Sequence, residues 1–261
     1  MINWWLQSYL SYKGLFLWLN WPAYLSSVFF RPILMVVLFG LVGRFVHESE
    51  AQTTYIVVGI AAHAMARILL GGILQCFFYE QFFGTLSPLF SSYGSRLLLF
   101  FSRGCLHYPN GLLTMGSCLG FAWLFLDLNF TQVHWPSVVG TVLLLNLSST
   151  AFSLFAGNFS LIYRDFLNTL TFTDALLLLC SGVLIPIANL PKAVSWISPF
   201  LPLTHGLEAL RAAMTGVPMA ALSGPILGEI GVTVGYAIAG YALFRWVEAA
   251  ARRRGDLVAL A

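Results

Sequence analysis

The stretch that decides the fold is TTYIVVGIAAHAMARILLGGILQCFFY, residues 53–79, followed at once by EQFFGTLSPL, residues 80–89. The first part is almost unbroken apolar sequence, longer than the roughly 20 residues a helix needs to cross the hydrocarbon core of a bilayer. The second part puts an acid, a glycine and a proline into a short amphipathic piece. The rest of the chain repeats this contrast. Of its 261 residues 59% are hydrophobic and only 9% are charged, with 22 Phe and 8 Trp, where a soluble domain carries about 25% charged residues. Mean hydropathy is +0.82. No soluble fold of this length hides so much apolar surface, so lipid is the solvent and the backbone must satisfy itself within helices. The fold class is an all-α polytopic membrane protein.

Working outward, residues 3–20 read as a helix lying on the membrane surface, with Trp5, Tyr9, Tyr12 and Phe16 on one face and Asn3, Gln7, Ser11 and Gly14 on the other. Six spans are expected after it: 24–45, 53–79, 96–126, 137–162, 169–187 and 225–247. Arg31-Pro32 lies near the start of the first. A short apolar helix ended by Pro109 precedes the body of the third, and Pro186 ends the fifth. Residues 188–224 are cut by Pro191, Pro199, Pro202 and Pro218 and read as an outer re-entrant helical hairpin between spans five and six. The chain reads as one domain, 1–261, without an internal repeat. MINWWLQSYLSYKG lacks the features of a cleavable signal. Cys76, Cys105, Cys118 and Cys180 are scattered and read as small apolar fillers rather than disulfides or metal ligands. The sequons at Asn146 and Asn158 fall inside an apolar span and read as chance.

Basic residues set the expected orientation. Lys13, Arg31, Arg96, Arg103, Arg164, Arg245 and Arg252–Arg254 fall on one side; Glu48, Glu50 and Asp127 fall on the other, with only Arg44, Lys192 and Arg211. The positive-inside rule puts both termini and EQFFGTLSPL in the cytoplasm. The only lysines, Lys13 and Lys192, are not followed by Ser or Thr, so there is no phosphate-binding loop. There is no HExxH, no GxSxG and no Cys/His cluster at metal spacing. No catalytic residue, metal ligand or cofactor is assigned to this chain, and nothing points to nucleic acid. If ATP powers transport, another chain hydrolyses it.

Three polar groups stand at membrane depth. His63 and Arg67 share a helix face one turn apart, and a mid-span arginine is costly unless paired or hydrated. They are either the wall of a transport path, a contact between two copies of the chain, or a structural pair satisfied by neighbouring helices. Asp174 is available to Arg164 or Arg31. His205, Glu208 and Arg211 recur every three residues and share one face of an outer helix. That face is either a charge ladder that supports the helix or an outer gate. The tryptophans Trp4, Trp5, Trp18, Trp21, Trp135, Trp196 and Trp246 fall near span ends, as aromatic belts do.

Two motifs carry a resemblance. Glu80, Gly84, Thr85 and Leu86 match an E-x-x-x-G-T-L segment. Ser181-Gly182, Pro186, Leu190-Pro191, Pro202-Leu203-Thr204-His205, Glu208, Leu210 and Arg211 match S-G-x-x-x-P-x-x-x-L-P…P-L-T-H…E-x-L-R. With the span layout they make the chain resemble the permease subunit of ABC-2-type exporters over nearly its whole length. Ser87 and Tyr93 depart from that pattern, where an acid and a proline are frequent.

The resemblance implies that 80–95 is a cytoplasmic coupling helix whose Glu80, Phe83, Gly84, Thr85 and Leu86 dock on an ATP-binding subunit. It implies two copies of that subunit, carrying ATP and Mg, and a second permease chain forming a homodimer or heterodimer in the cell inner membrane. It also implies an outer gate around Pro202, His205, Glu208 and Arg211. The expected cargo is an amphipathic small molecule of the antibiotic or drug-resistance kind, or a lipid. Arg164-Asp165 resembles the polysaccharide-exporting branch and keeps a lipid-linked polysaccharide as the alternative. A secondary transporter or channel would show paired inverted halves and buried acids; a membrane enzyme would show a catalytic constellation.

Overall fold

The computed structural model describes residues 21–47, 50–84, 104, 107–126, 131–163 and 165–254. The surface helix expected at 3–20, and Thr85 and Leu86 with the rest of the coupling region, lie outside the described residues. The described elements are helical, and among the described residues there is no strand. The chain runs through α1 (Trp21–Leu25), a π-helical turn (Ser26–Phe30), α2 (Arg31–His47), α3 (Glu50–Phe82), α4 (His107–Leu126), α5 (Trp135–Tyr163), α6 (Phe166–Cys180), α7 (Lys192–Ser195), α8 (Thr204–Met214) and α9 (Ser223–Arg254).

Among the described residues, five segments are long and apolar enough to cross a membrane: Pro22–Phe45, Glu50–Phe82, His107–Leu126, Trp135–Tyr163 and Met219–Ala250. The expected count of six is not reached on length, because α6 has only 15 residues and spans roughly 22 Å. The fifth expected span, 169–187, stops at Cys180 and not at Pro186. Gly182 adopts φ 71° just beyond the Ser181 cap, a left-handed conformation that ends a helix one turn before the proline can. Pro109 lies in the first turn of α4, where a missing N–H costs nothing, and the short helix expected before it falls largely outside the described residues. Region 188–224 is one helix of any length, α8, approached through the four-residue α7 and flanking 3₁₀ turns.

α3 is the central helix. It is buried along most of its length and packs against α2, α4, α5 and α6. α5 follows it with a buried stripe of small polar residues, Ser148, Ser149, Ser153 and Ser160 among them. Small side chains let helix backbones approach in lipid, and two of the hydroxyls on α5 turn back onto their own helix, while those of Ser148, Ser149 and Ser160 have no partner among the described residues. Ser153 donates to the Ser149 carbonyl at 2.7 Å and Thr150 to that of Asn146 at 2.8 Å. Asn146 and Asn158 are likewise buried, which excludes sugar attachment in this fold. α9 lies along α5, where Tyr236 meets Phe152 edge-on at 4.8 Å.

Arg31-Pro32 has a structural consequence. Pro32 has no N–H to give the Val28 carbonyl one turn earlier. The helix widens into its π turn over Ser26–Phe30, and the Thr114 hydroxyl of α4 donates to the Val28 carbonyl at 3.0 Å instead. The proline thus shapes the wall of the cavity described next.

Candidate functional site

A cavity of about 500 Å³ opens among the π turn, α2, α3, α6 and the start of α4. Its apolar wall is made by Val28, Met35, Phe39, Ile60, Leu170 and Leu178, and its polar wall includes Arg31, His63, Arg67, Gln75, Asn110 and Asp174. Asn110 is held by Tyr24, whose hydroxyl donates to its Oδ1 at 2.8 Å.

The structure brings His63, Arg67 and Asp174 together on one side of this cavity. Arg67 Nη1 donates to Asp174 Oδ2, and His63 Nε2 stands 3.2 Å from Oδ1. The partner of Asp174 is therefore Arg67 across the α3–α6 contact rather than Arg31. Arg164 is outside the described residues. Arg67 sits mid-helix, roughly 25 Å from either end of α3, where an unpaired guanidinium would be expensive. Pairing lowers that cost, and cavity exposure lowers it further: the Arg67 side chain stays 34% exposed while that of Asp174 is 13% exposed.

A second polar centre lies near the N-terminal end of α3 and ties the sequence signature into a knot. Arg211 of α8 donates to the carbonyls of Gly182 at 3.1 Å, Val183 at 3.0 Å and Tyr55 at 3.1 Å. Its guanidinium lies 3.3 Å over the centre of the Tyr55 ring, a cation–π contact. The Tyr55 hydroxyl also donates to Gly182 O, at 3.1 Å. Gly59 makes the close approach possible, since a Cβ there would stand 2.1 Å from the Val183 carbonyl oxygen. The charge ladder expected along α8 does not form. Arg211 turns inward to backbone carbonyls, Glu208 stays exposed, and His205 Nε2 lies 3.1 Å from Pro199 O. Among the described residues no ion pair joins the three. Pro202 ends the preceding turn.

Sequence reasoning missed Glu229. This acid of α9 is fully buried, and its Oε1 and Oε2 accept the N–H groups of Leu203 at 3.2 Å and Gly206 at 2.9 Å. Helix α8 begins after Leu203, which takes φ 77° and offers no capping side chain. The first N–H groups of a helix need an acceptor, and the two carboxyl oxygens of Glu229 supply it.

At the other end, Glu80 belongs to the last turns of α3 and is 6% exposed. It does not present the polar face expected of it. Gly84 has φ 67°, and its N–H bonds to the Gln81 carbonyl at 3.1 Å, so it closes α3 as a glycine stop. Phe82 and Phe83 are exposed there. Asp165 caps α6 by accepting the Asn168 N–H at 3.0 Å, a bond that holds its carboxyl below the usual carboxylate range. Among the described residues no His/Cys/Asp/Glu group is arranged for a metal ion.

A bundle of long apolar helices around a cavity with charged and apolar lining defines a multi-pass membrane protein. The sequence profile of the ABC-2 type transporter family matches residues 8–215, and the chain belongs to that family. It is a permease of an ABC-type exporter, of a family that works with an ATP-binding subunit. No curated protein matches the chain.

Proposed function

We propose that two permease chains and two ATP-binding subunits form the working exporter, and that the cavity beside Arg67 and Asp174 holds cargo on its way out. The observation that carries this is the cavity itself: apolar side chains on one wall, a partly exposed ion pair on another, at the middle of the longest buried helix. That lining suits an amphipathic small molecule or a lipid. The polysaccharide alternative drew on Arg164-Asp165, and Asp165 is engaged in capping α6.

ATP and Mg belong to the partner subunits and no cofactor to this chain, which is not itself an enzyme. The segment that begins at Phe83 and Gly84 is the coupling element, in the cytoplasm with both termini, and the membrane is the inner membrane. α6 with the extended Ser181–Pro186 segment makes the sixth crossing, and residues 188–224 form the outer re-entrant region. ATP moves this machine only by favouring one of two permease states that bind cargo differently.

The test is a pulldown of the tagged chain in gentle detergent with mass spectrometry. A stoichiometric ATP-binding-cassette subunit is expected, and a second permease sequence distinguishes heterodimer from homodimer. Absence of any ATPase, under conditions that preserve comparable complexes, contradicts the reading. Because Phe83 is exposed, Phe83→Ala should lower ATPase recovery severalfold at unchanged permease melting temperature. Undiminished recovery would remove Phe83 from the contact.

A further inference from the structure

We propose that the cavity selects amphiphiles with an anionic headgroup, phosphate or carboxylate, and that Arg31 is the residue that recognises it. This rests on reading the cavity as the cargo site and names the class of cargo.

The argument is one of charge balance. Two guanidiniums, Arg31 and Arg67, and one carboxylate, Asp174, line the cavity. Asp174 is committed to Arg67 on one oxygen and faces His63 on the other. Arg31 is exposed, and among the described residues its guanidinium has no hydrogen bond and no ion pair. Counting the guanidiniums and the carboxylate, the cavity holds one uncompensated positive charge. Its position is fixed by the α2–α3 hairpin. Arg31 opens the 17-residue α2 and Arg67 lies as far into α3, so both stand about 25 Å from the link that joins the helices.

The two cations therefore share one level of the cavity, with the paired one on the far wall. The space beside them is bounded by Val28, Met35, Phe39 and Leu178, which suits an alkyl or aromatic tail. A guanidinium binds phosphate and carboxylate through two parallel N–H bonds. It repels a cationic head, so the site discriminates by repulsion as well as attraction.

The experiment needs neither the ATPase nor transport, so its failure is separable from failure of the exporter reading. The purified chain in neutral detergent is titrated with dodecyl phosphate, dodecyltrimethylammonium or inorganic phosphate, and bound molecules are counted by native mass spectrometry. One saturable dodecyl phosphate per chain is expected, with no comparable binding of the ammonium probe. Arg31→Gln should weaken dodecyl phosphate about tenfold, the effect of losing a charge-assisted hydrogen bond, with the melting temperature unchanged. Arg31→Lys should keep the preference for the anionic head. Equal binding of the ammonium probe, or unchanged affinity in Arg31→Gln, would overturn the proposal. Equal affinity for inorganic phosphate would overturn its amphiphile part, leaving a site for the free anion.

Discussion

Arg211 and Arg67 are both guanidiniums inside an apolar helical bundle, and the protein satisfies them in opposite ways. Arg211 directs its two terminal nitrogens to three backbone carbonyls from two segments and lies against the Tyr55 ring, which leaves only its buried Nε without a partner. Arg67 has one carboxylate partner, keeps a third of its side chain exposed, and faces a cavity. The first arginine fastens α8 to α3 and to the chain after α6. The second holds a wall in place and remains reachable. A buried charge is read as structural or functional by what is left of it after the protein's own partners are counted.

That contrast can be broken, and the largest effect is expected at the knot. Glu229→Ala strips the acceptor from two buried N–H groups at the start of α8. It should cost about 2–5 kcal/mol, the sum of a lost cap and unsatisfied donors. Glu229→Gln, which keeps one acceptor, should cost less. Thermal unfolding in detergent measures both, and a melting temperature unmoved by Glu229→Ala would mean that α8 has no need of its cap. Arg211→Met should follow at about 2–4 kcal/mol, because three carbonyls lose their donor. Arg211→Lys should recover little, since an ammonium cannot reach all three in a fixed fork.

The cavity pair should behave differently. Arg67→Met and Asp174→Leu alone should each destabilise by about 1–3 kcal/mol, while the double variant should return close to the parent, since removing both partners leaves no orphaned charge. Additive losses in the double-mutant cycle would contradict the pairing.

Much of this was legible in residues, and the exceptions have physical causes. The long spans are readable because lipid admits only long apolar helices. His63, Arg67 and Asp174 are readable as candidates because charge at depth is costly. Their mutual pairing is not, because it depends on α6 lying against α3, and no local spacing encodes that. Glu229 escaped notice because its partners are backbone N–H groups 23 and 26 residues earlier. A signal existed: a helix starting at Thr204 behind Pro202-Leu203 has no Ser, Asp or Asn to cap it, and Glu229 is the only acid within 225–247. The end of α6 was misplaced because Gly182 stops a helix as firmly as Pro186, and earlier. Glu80 was read as part of a polar docking face because it opens EQFFGTLSPL, yet the last turns of α3 still pack inward.

The measurement that bears most directly on the account is ATP hydrolysis by the assembled complex in lipid vesicles, per inserted permease, for the parent, Arg67→Met/Asp174→Leu, and Arg211→Met. The account predicts that the cavity double variant changes turnover severalfold at a nearly unchanged melting temperature, whereas Arg211→Met lowers turnover only in step with its loss of stability. Parental turnover in a folded cavity double variant would contradict the claim that this cavity, and not the knot near the N-terminal end of α3, is where cargo and ATP are coupled.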